Sequence, residues 1–181
     1  MTQILKLDRL LKNDQKLFHT QDLALLWGID NRNSLYTAIK RLVKKGVLIT
    51  IRKGLYSVLP IDQIDEYRLG AALIHRFCYV SCETVLAESG VISQKVYPIT
   101  FVSSSSSKIN IKDKIFVYRM LKSEYLLNPE GIIETDGVFK ADKERALADM
   151  LYFNPNYYLD NSLSIDWKRV SEIQRKVGYK K

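Results

Sequence analysis

Residues 47–58 read VLITIRKGLYSV. Two short β-prone apolar runs flank Arg52, Lys53 and Gly54, the pattern of a β-hairpin with a glycine in its turn. Gly54 can take the positive φ that a tight turn demands. The turn needs the glycine but not the cations, so Arg52 and Lys53 require an explanation of their own. In the following strand Leu55 and Tyr56 are expected to alternate, one packing inward and one facing out.

The chain before the hairpin is helical in pattern. From Gln3 to Lys12 the apolar residues Ile4, Leu5, Leu7, Leu10 and Leu11 recur at helical spacing. Phe18 follows as a core anchor. Thr20 is placed to cap a second helix through Leu23, Leu25 and Leu26, which Gly28 ends. Asp30 or Asn31 caps a third helix running to about Lys45, closed by Gly46. Leu35, Ala38, Ile39 and Leu42 form the stripe of this helix that buries. Asn33, Tyr36, Thr37, Lys40 and Lys44 repeat on a neighbouring face, where amide, phenol, hydroxyl and ammonium groups can reach base edges and phosphates.

Charge is distributed unevenly. The net charge of +8 is concentrated in residues 1–60, which hold 11 Lys/Arg against 4 Asp/Glu, whereas residues 61–181 hold 17 against 16. Seven cations and no acid lie between Asn31 and Lys53. Such a segment is suited to a polyanion. Three helices followed by a hairpin make a winged helix-turn-helix, in which the third helix enters the major groove and the wing lies along the backbone. On this reading Asn33, Tyr36, Thr37 and Lys40 contact bases. Arg32, Arg41, Lys44, Arg52 and Lys53 contact phosphate, fixing orientation without reading sequence.

Pro60, with Asp62 and Asp65, marks a boundary, dividing the chain into a domain at 1–60 and a second at 61–181. In the second, IDEYRLGAALIHRF reads as a helix. A strand (YVSC), a helix (ETVLAESG) and a strand (PITFVSS) follow. KINI and KIFVYRML are strands joined at Asp113, and GIIET with GVFKA form a hairpin around Asp136-Gly137. ADKERALADMLYF is a helix capped by Asp142, with Ala146, Leu147, Met150 and Leu151 inward. A last helix runs from about Ser164 to Val177. The class is α+β, with an antiparallel sheet in the second domain. Ser103–Ser107 reads as a strand end entering a polar loop; it lacks the glycines of a phosphate-cradling loop.

Phe18-His-Thr, DLALLWGID, LYTAIKRLVKKGVL and IRKGLYSV resemble the N-terminal winged helix of AbiEi-type antitoxins, the antitoxin halves of type IV (AbiE) toxin–antitoxin systems of bacterial abortive infection. CYVSCETVLAESGVI, PITFVSSSS and FKADKERALADMLYFNP are similar to segments of the same family's second domain. The likeness covers most of residues 15–155. At Ser81-Cys82-Glu83 this chain departs from relatives, which tend to read Ser-Leu-Glu. The resemblance implies an N-terminal domain that binds double-stranded operator DNA, repeated or palindromic, and represses its own operon. It also implies a C-terminal domain acting against a nucleotidyltransferase toxin encoded alongside.

Other chemistry finds little purchase. His75, Cys78 and Cys82 give H-x2-C-x3-C without the second cluster a structural zinc needs. Glu134, Asp136 and Lys140 imitate an acidic nuclease set, but the Asp-Gly turn explains Asp136. There is no GxxxxGK[ST] and no Ser–His–Asp set, so neither enzyme activity, cofactor nor metal is expected. Two cysteines point to a reducing cytoplasm, and no run approaches the roughly 20 apolar residues of a membrane span. The charge-interrupted MTQILKLDRLLKN is no signal peptide. The alternatives to an antitoxin are a sequence-specific regulator whose C-terminal domain dimerises or senses a ligand, and a nuclease using Glu134 or Asp136.

Overall fold

The computed structural model describes residues 3–94 and 96–179. The chain is α+β, with a three-stranded and a six-stranded sheet among the described residues. It divides into two compact units, Met1–Ala72 and Leu73–Lys181. The sequence boundary at 60/61 assigns the turn after Pro60 and the following helix to the second domain; the compact units place both in the first. No described helix is long and apolar enough to cross a membrane.

The first unit runs α1 (Gln3–Leu11), β1 (Leu17–His19), α2 (Thr20–Trp27), α3 (Arg32–Lys44), β2 (Ile49–Arg52), β3 (Leu55–Ser57), a 3-10 turn (Ile61–Gln63) and α4 (Glu66–Ala72). The sheet order is β1-β3-β2, with both pairings antiparallel. Leu10, Phe18, Leu23, Trp27, Leu35, Ile39, Leu42, Leu48 and Tyr56 make a core in which all three early helices and the hairpin meet. Truncating any one of these larger side chains would cost about 2–5 kcal/mol.

Two local expectations are corrected. His19, not Thr20, is the N-cap of α2, its N–H donating to Asp22 Oδ2 at 2.7 Å. Thr20 is drawn elsewhere: its N–H donates to the Gly54 carbonyl at 3.0 Å, with its hydroxyl 3.4 Å from the same oxygen. Leu55 and Tyr56 are both buried, so neither face of the central strand β3 is open to solvent at these positions.

The second unit contains β4 (Cys78–Val80), α5 (Glu83–Glu88), β5 (Ile99–Ser103), β6 (Ser107–Ile111), β7 (Lys114–Met120), α6 (Ser123–Leu126), β8 (Ile132–Thr135), β9 (Val138–Ala141), α7 (Lys143–Phe153), a 3-10 turn (Ser162–Ser164) and α8 (Trp167–Val177). Its strand order is β6-β7-β5-β4-β9-β8. The sheet is mixed, not antiparallel as expected: β5 pairs β7 and β4 pairs β9 in parallel. The two hairpins, β6–β7 and β8–β9, are antiparallel and fall where the sequence places them. Asp136 and Gly137, at φ 53° and 76°, form the two-residue turn of the second hairpin. Asp142 caps α7 by accepting from the Arg145 N–H at 2.7 Å. The last helix starts at Trp167 rather than Ser164, since Asp166 is its cap, accepting from the Arg169 N–H. Val170, Ile173 and Val177 form its buried stripe.

Candidate nucleic-acid interface

α3 is fixed at its start by Asn31, whose side chain accepts from the Ser34 N–H at 3.0 Å. At 100° per residue, Leu35, Ala38, Ile39 and Leu42 fall on one side of the helix, and all four are buried. Asn33, Tyr36, Thr37, Lys40 and Lys44 occupy the opposite side, with Arg32 and Arg41 on its two flanks; all seven are exposed. The burial of the apolar stripe therefore determines which groups face solvent. The helix carries Arg41 and Lys44 in its last turn.

The exposed face is partly organised in advance. The Thr37 hydroxyl donates to the Asn33 backbone carbonyl at 2.8 Å. The Arg32 guanidinium lies over the Tyr36 ring, 5.7 Å from its centroid, a geometry in which cation and ring attract.

The β2–β3 turn adds the remaining two cations. Its register pairs Ile49 with Ser57, Thr50 with Tyr56 and Arg52 with Leu55, so Ile51 is an extra residue that bulges β2. Arg52 and Lys53 are exposed at the tip, and Gly54 takes φ 85°. The bonds from Thr20 to the Gly54 carbonyl tie the tip to the start of α2. No sequence signal marked this anchor, which joins residues far apart in the chain. All nine sequence-predicted contact residues thus lie exposed on two consecutive elements of one unit. Chemically, such a surface can bind phosphate through its five outer cations and present hydrogen-bonding groups from one helix face.

The second unit holds its polar side chains differently. Arg145 and Asp149, both 0% exposed, form an ion pair at 2.8 Å within α7. Asp149 also accepts from the hydroxyls of Tyr79 (3.0 Å), Ser81 (2.7 Å) and Tyr179. Arg145 donates further to the Tyr79 hydroxyl and to the carbonyls of Tyr125, Asn128 and Glu130. Burial lowers the guanidinium's proton affinity, but the Asp149 carboxylate and the neighbouring phenols more than reverse this, and the net shift is upward. Burial, then Asp149, raises the phenols of Tyr79 and Tyr179 far above the usual range. These groups are locked as donors in a closed network, unsuited to proton transfer. The apolar periodicity of α7 marks Ala146, Leu147, Met150 and Leu151 as inward but not this pair; the one local signal for it is the Arg–Asp spacing of i, i+4 amid Ala and Leu.

After β4, Cys82 is buried with φ 55° and ψ −134°, and Glu83 pairs with Arg119. Arg119 also lies over the Phe153 ring. The H-x2-C-x3-C set does not converge: His75 is exposed while both cysteines are buried. Among the described residues no three His, Cys, Asp or Glu side chains are grouped to hold a metal ion. Glu134 pairs with Phe139 and Ile133 with Lys140 across the β8–β9 hairpin, so Glu134 and Lys140 point to opposite faces. Lys140 is paired with Glu88. Ser103 ends β5, its hydroxyl donating to the Phe77 carbonyl, and Ser104 to Ser106 form the loop into β6. The chain matches no family model and no curated protein.

Proposed function

We propose that the first unit is a winged helix-turn-helix that binds operator DNA, and that the chain is the antitoxin and autorepressor of a type IV toxin–antitoxin pair. The observation that carries the DNA half is the exposed face of α3. Asn33, Tyr36, Thr37, Lys40 and Lys44 stand opposite the buried stripe, and the cationic β2–β3 turn follows in the same unit. On this reading α3 enters the major groove, with Asn33, Tyr36, Thr37 and Lys40 toward the bases. Arg32, Arg41 and Lys44 reach flanking phosphates, and Arg52 and Lys53 grip the backbone from the wing.

The antitoxin half rests on the resemblance to AbiEi-type antitoxins. Within the family-like segment FKADKERALADMLYFNP, Arg145 and Asp149 are buried and serve the fold. Residues that act on a nucleotidyltransferase toxin belong to the exposed surface of the second unit instead.

The test has two arms. The full chain is titrated into the duplex upstream of its own reading frame and into a scrambled duplex of equal length. It is then co-expressed with the adjacent nucleotidyltransferase gene. Tight, preferential binding of the upstream duplex and restored growth are the expected results. Equal affinity for both duplexes defeats the repressor assignment; growth arrest that persists despite soluble chain defeats the antitoxin assignment. Specific binding without rescue would favour the regulator whose second unit dimerises or senses a ligand.

A further inference from the structure

We infer that the α3 face recognises an A·T-containing step in the major groove, read by Asn33 and Thr37 with Tyr36 beside them. This deepens the DNA-binding reading above and rests on it.

The hydrogen bonding inside α3 narrows what its face can offer. The Thr37 hydroxyl proton is already given to the Asn33 carbonyl at 2.8 Å. What Thr37 presents outward is a methyl group and oxygen lone pairs. The partner of a methyl in the major groove is the C5-methyl of thymine, and the lone pairs can accept only from adenine N6 or cytosine N4. A threonine so fixed cannot donate to guanine O6 or N7.

Asn31 and Asn33 divide two roles. The Asn31 amide oxygen is taken up in capping, by the Ser34 N–H. Asn33 lies one turn before Thr37 on the exposed face. An asparagine amide donates to adenine N7 and accepts from adenine N6 in one bidentate contact. Positions four apart are roughly 6 Å apart along the axis, about two base-pair steps. Both stand in the N-terminal half of α3, the part of a recognition helix that meets base edges.

The residue best able to select guanine at that end is Arg32, and its guanidinium is engaged over the Tyr36 ring, 5.7 Å from the centroid. The stack steadies an exposed aromatic edge next to Thr37, adding apolar surface for a thymine methyl. Lys40, two turns after Asn33, reads a position beyond this step, and Arg41 stands on the flank of the face.

A pool of duplexes with a randomised centre is selected on the full chain at one fixed salt concentration. The winning duplex is then remade with uracil for each thymine and with 7-deazaadenine for each adenine. An A·T step should be enriched. One uracil replacement should weaken binding several-fold for the wild type and for Thr37→Val, but not for Thr37→Ser, which lacks the methyl. Asn33→Ala should erase about tenfold of the adenine preference. Enrichment of a G·C step, or indifference to every uracil and 7-deazaadenine replacement, overturns this inference and leaves DNA binding standing. A pool that emerges unenriched overturns both.

Discussion

Arg145 uses all five guanidinium donors within the second unit, one to Asp149 and four to Tyr79 and three backbone carbonyls. Such a pair is costly to break from one side, because the surviving charge stays buried. Asp149→Ala should lower stability by about 3–5 kcal/mol, read from urea unfolding of the second unit. The double replacement Arg145→Met with Asp149→Leu should recover much of that loss, since no charge is left stranded. A double variant as unstable as Asp149→Ala would contradict this account. The same site excludes a side chain at Gly131: a Cβ there would stand 2.7 Å from the Arg145 Cβ, at φ +72°. Gly131→Ala should therefore destabilise by at least about 1 kcal/mol, from both contact and backbone strain. The two thiols behave as packing. Burial pushes Cys78 up to about 12 and Cys82 well above its usual range. Both should resist a disulfide reagent at pH 8 and react only in step with unfolding; a rapid native-state reaction at either would refute their burial.

At the scale of elements, α8 is held by an acid-sensitive clamp. Glu130 pairs with Arg169 and Lys176, and Asn128 donates to the Lys176 carbonyl. Hydrogen bonds from Lys176 and Arg169 hold the Glu130 carboxyl below its usual 4.5. A depressed carboxylate contributes stability above its unfolded value and loses it as pH falls through the folded value. The urea midpoints of wild type and Glu130→Gln should therefore differ at pH 7 and converge below the ordinary carboxylate range. A gap that persists in acid would assign the effect to packing. Asn31→Ala should cost about 1 kcal/mol, the usual loss of a side-chain cap, read as a lower urea midpoint of the first unit. What could be read in advance follows from locality. α3, its cap, its two faces and both hairpins of the second unit are set by neighbours within a few residues, and their sequence patterns carry them. β1 is three residues pairing with a strand far along the chain, too short for alternation to register. The parallel pairings join Ile99 to Phe116 and Val80 to Lys140 across intervening elements, so no local pattern marks them; the two hairpins of the second unit join neighbours in the chain, and both are antiparallel. The exposure of the seven candidate residues on α3 was legible because it follows from where the apolar stripe of that helix lies. The Arg145–Asp149 network was not, because its partners come from β4 and the following Ser81, from α6, from the Asn128–Glu130 segment and from Tyr179 after α8.

For the whole molecule, charge separates the two proposed activities. Residues 1–60 carry 11 Lys/Arg against 4 Asp/Glu, while residues 61–181 are nearly balanced at 17 against 16. A polyanion should therefore be held by the first unit, and its removal should be electrostatic in character. Each phosphate contact contributes about 0.9 to the slope of log K against log salt. Replacing Arg52 and Lys53 together by alanine removes two exposed tip cations without touching the core. The slope should flatten by about 1.8 if each meets one phosphate, with similar loss on operator and random duplex, because neither side chain reads bases on this assignment. Tyr36→Ala or Lys40→Ala should instead reduce the preference for operator over random duplex. In cells, the tip variant should release repression of a reporter placed behind the chain's own upstream region. If the second unit carries the antitoxin role, that same variant should still restore growth when the adjacent toxin is expressed from an independent promoter. Loss of rescue with the second unit still folded would mean that the basic surface itself acts on the toxin, and that the two activities share one site.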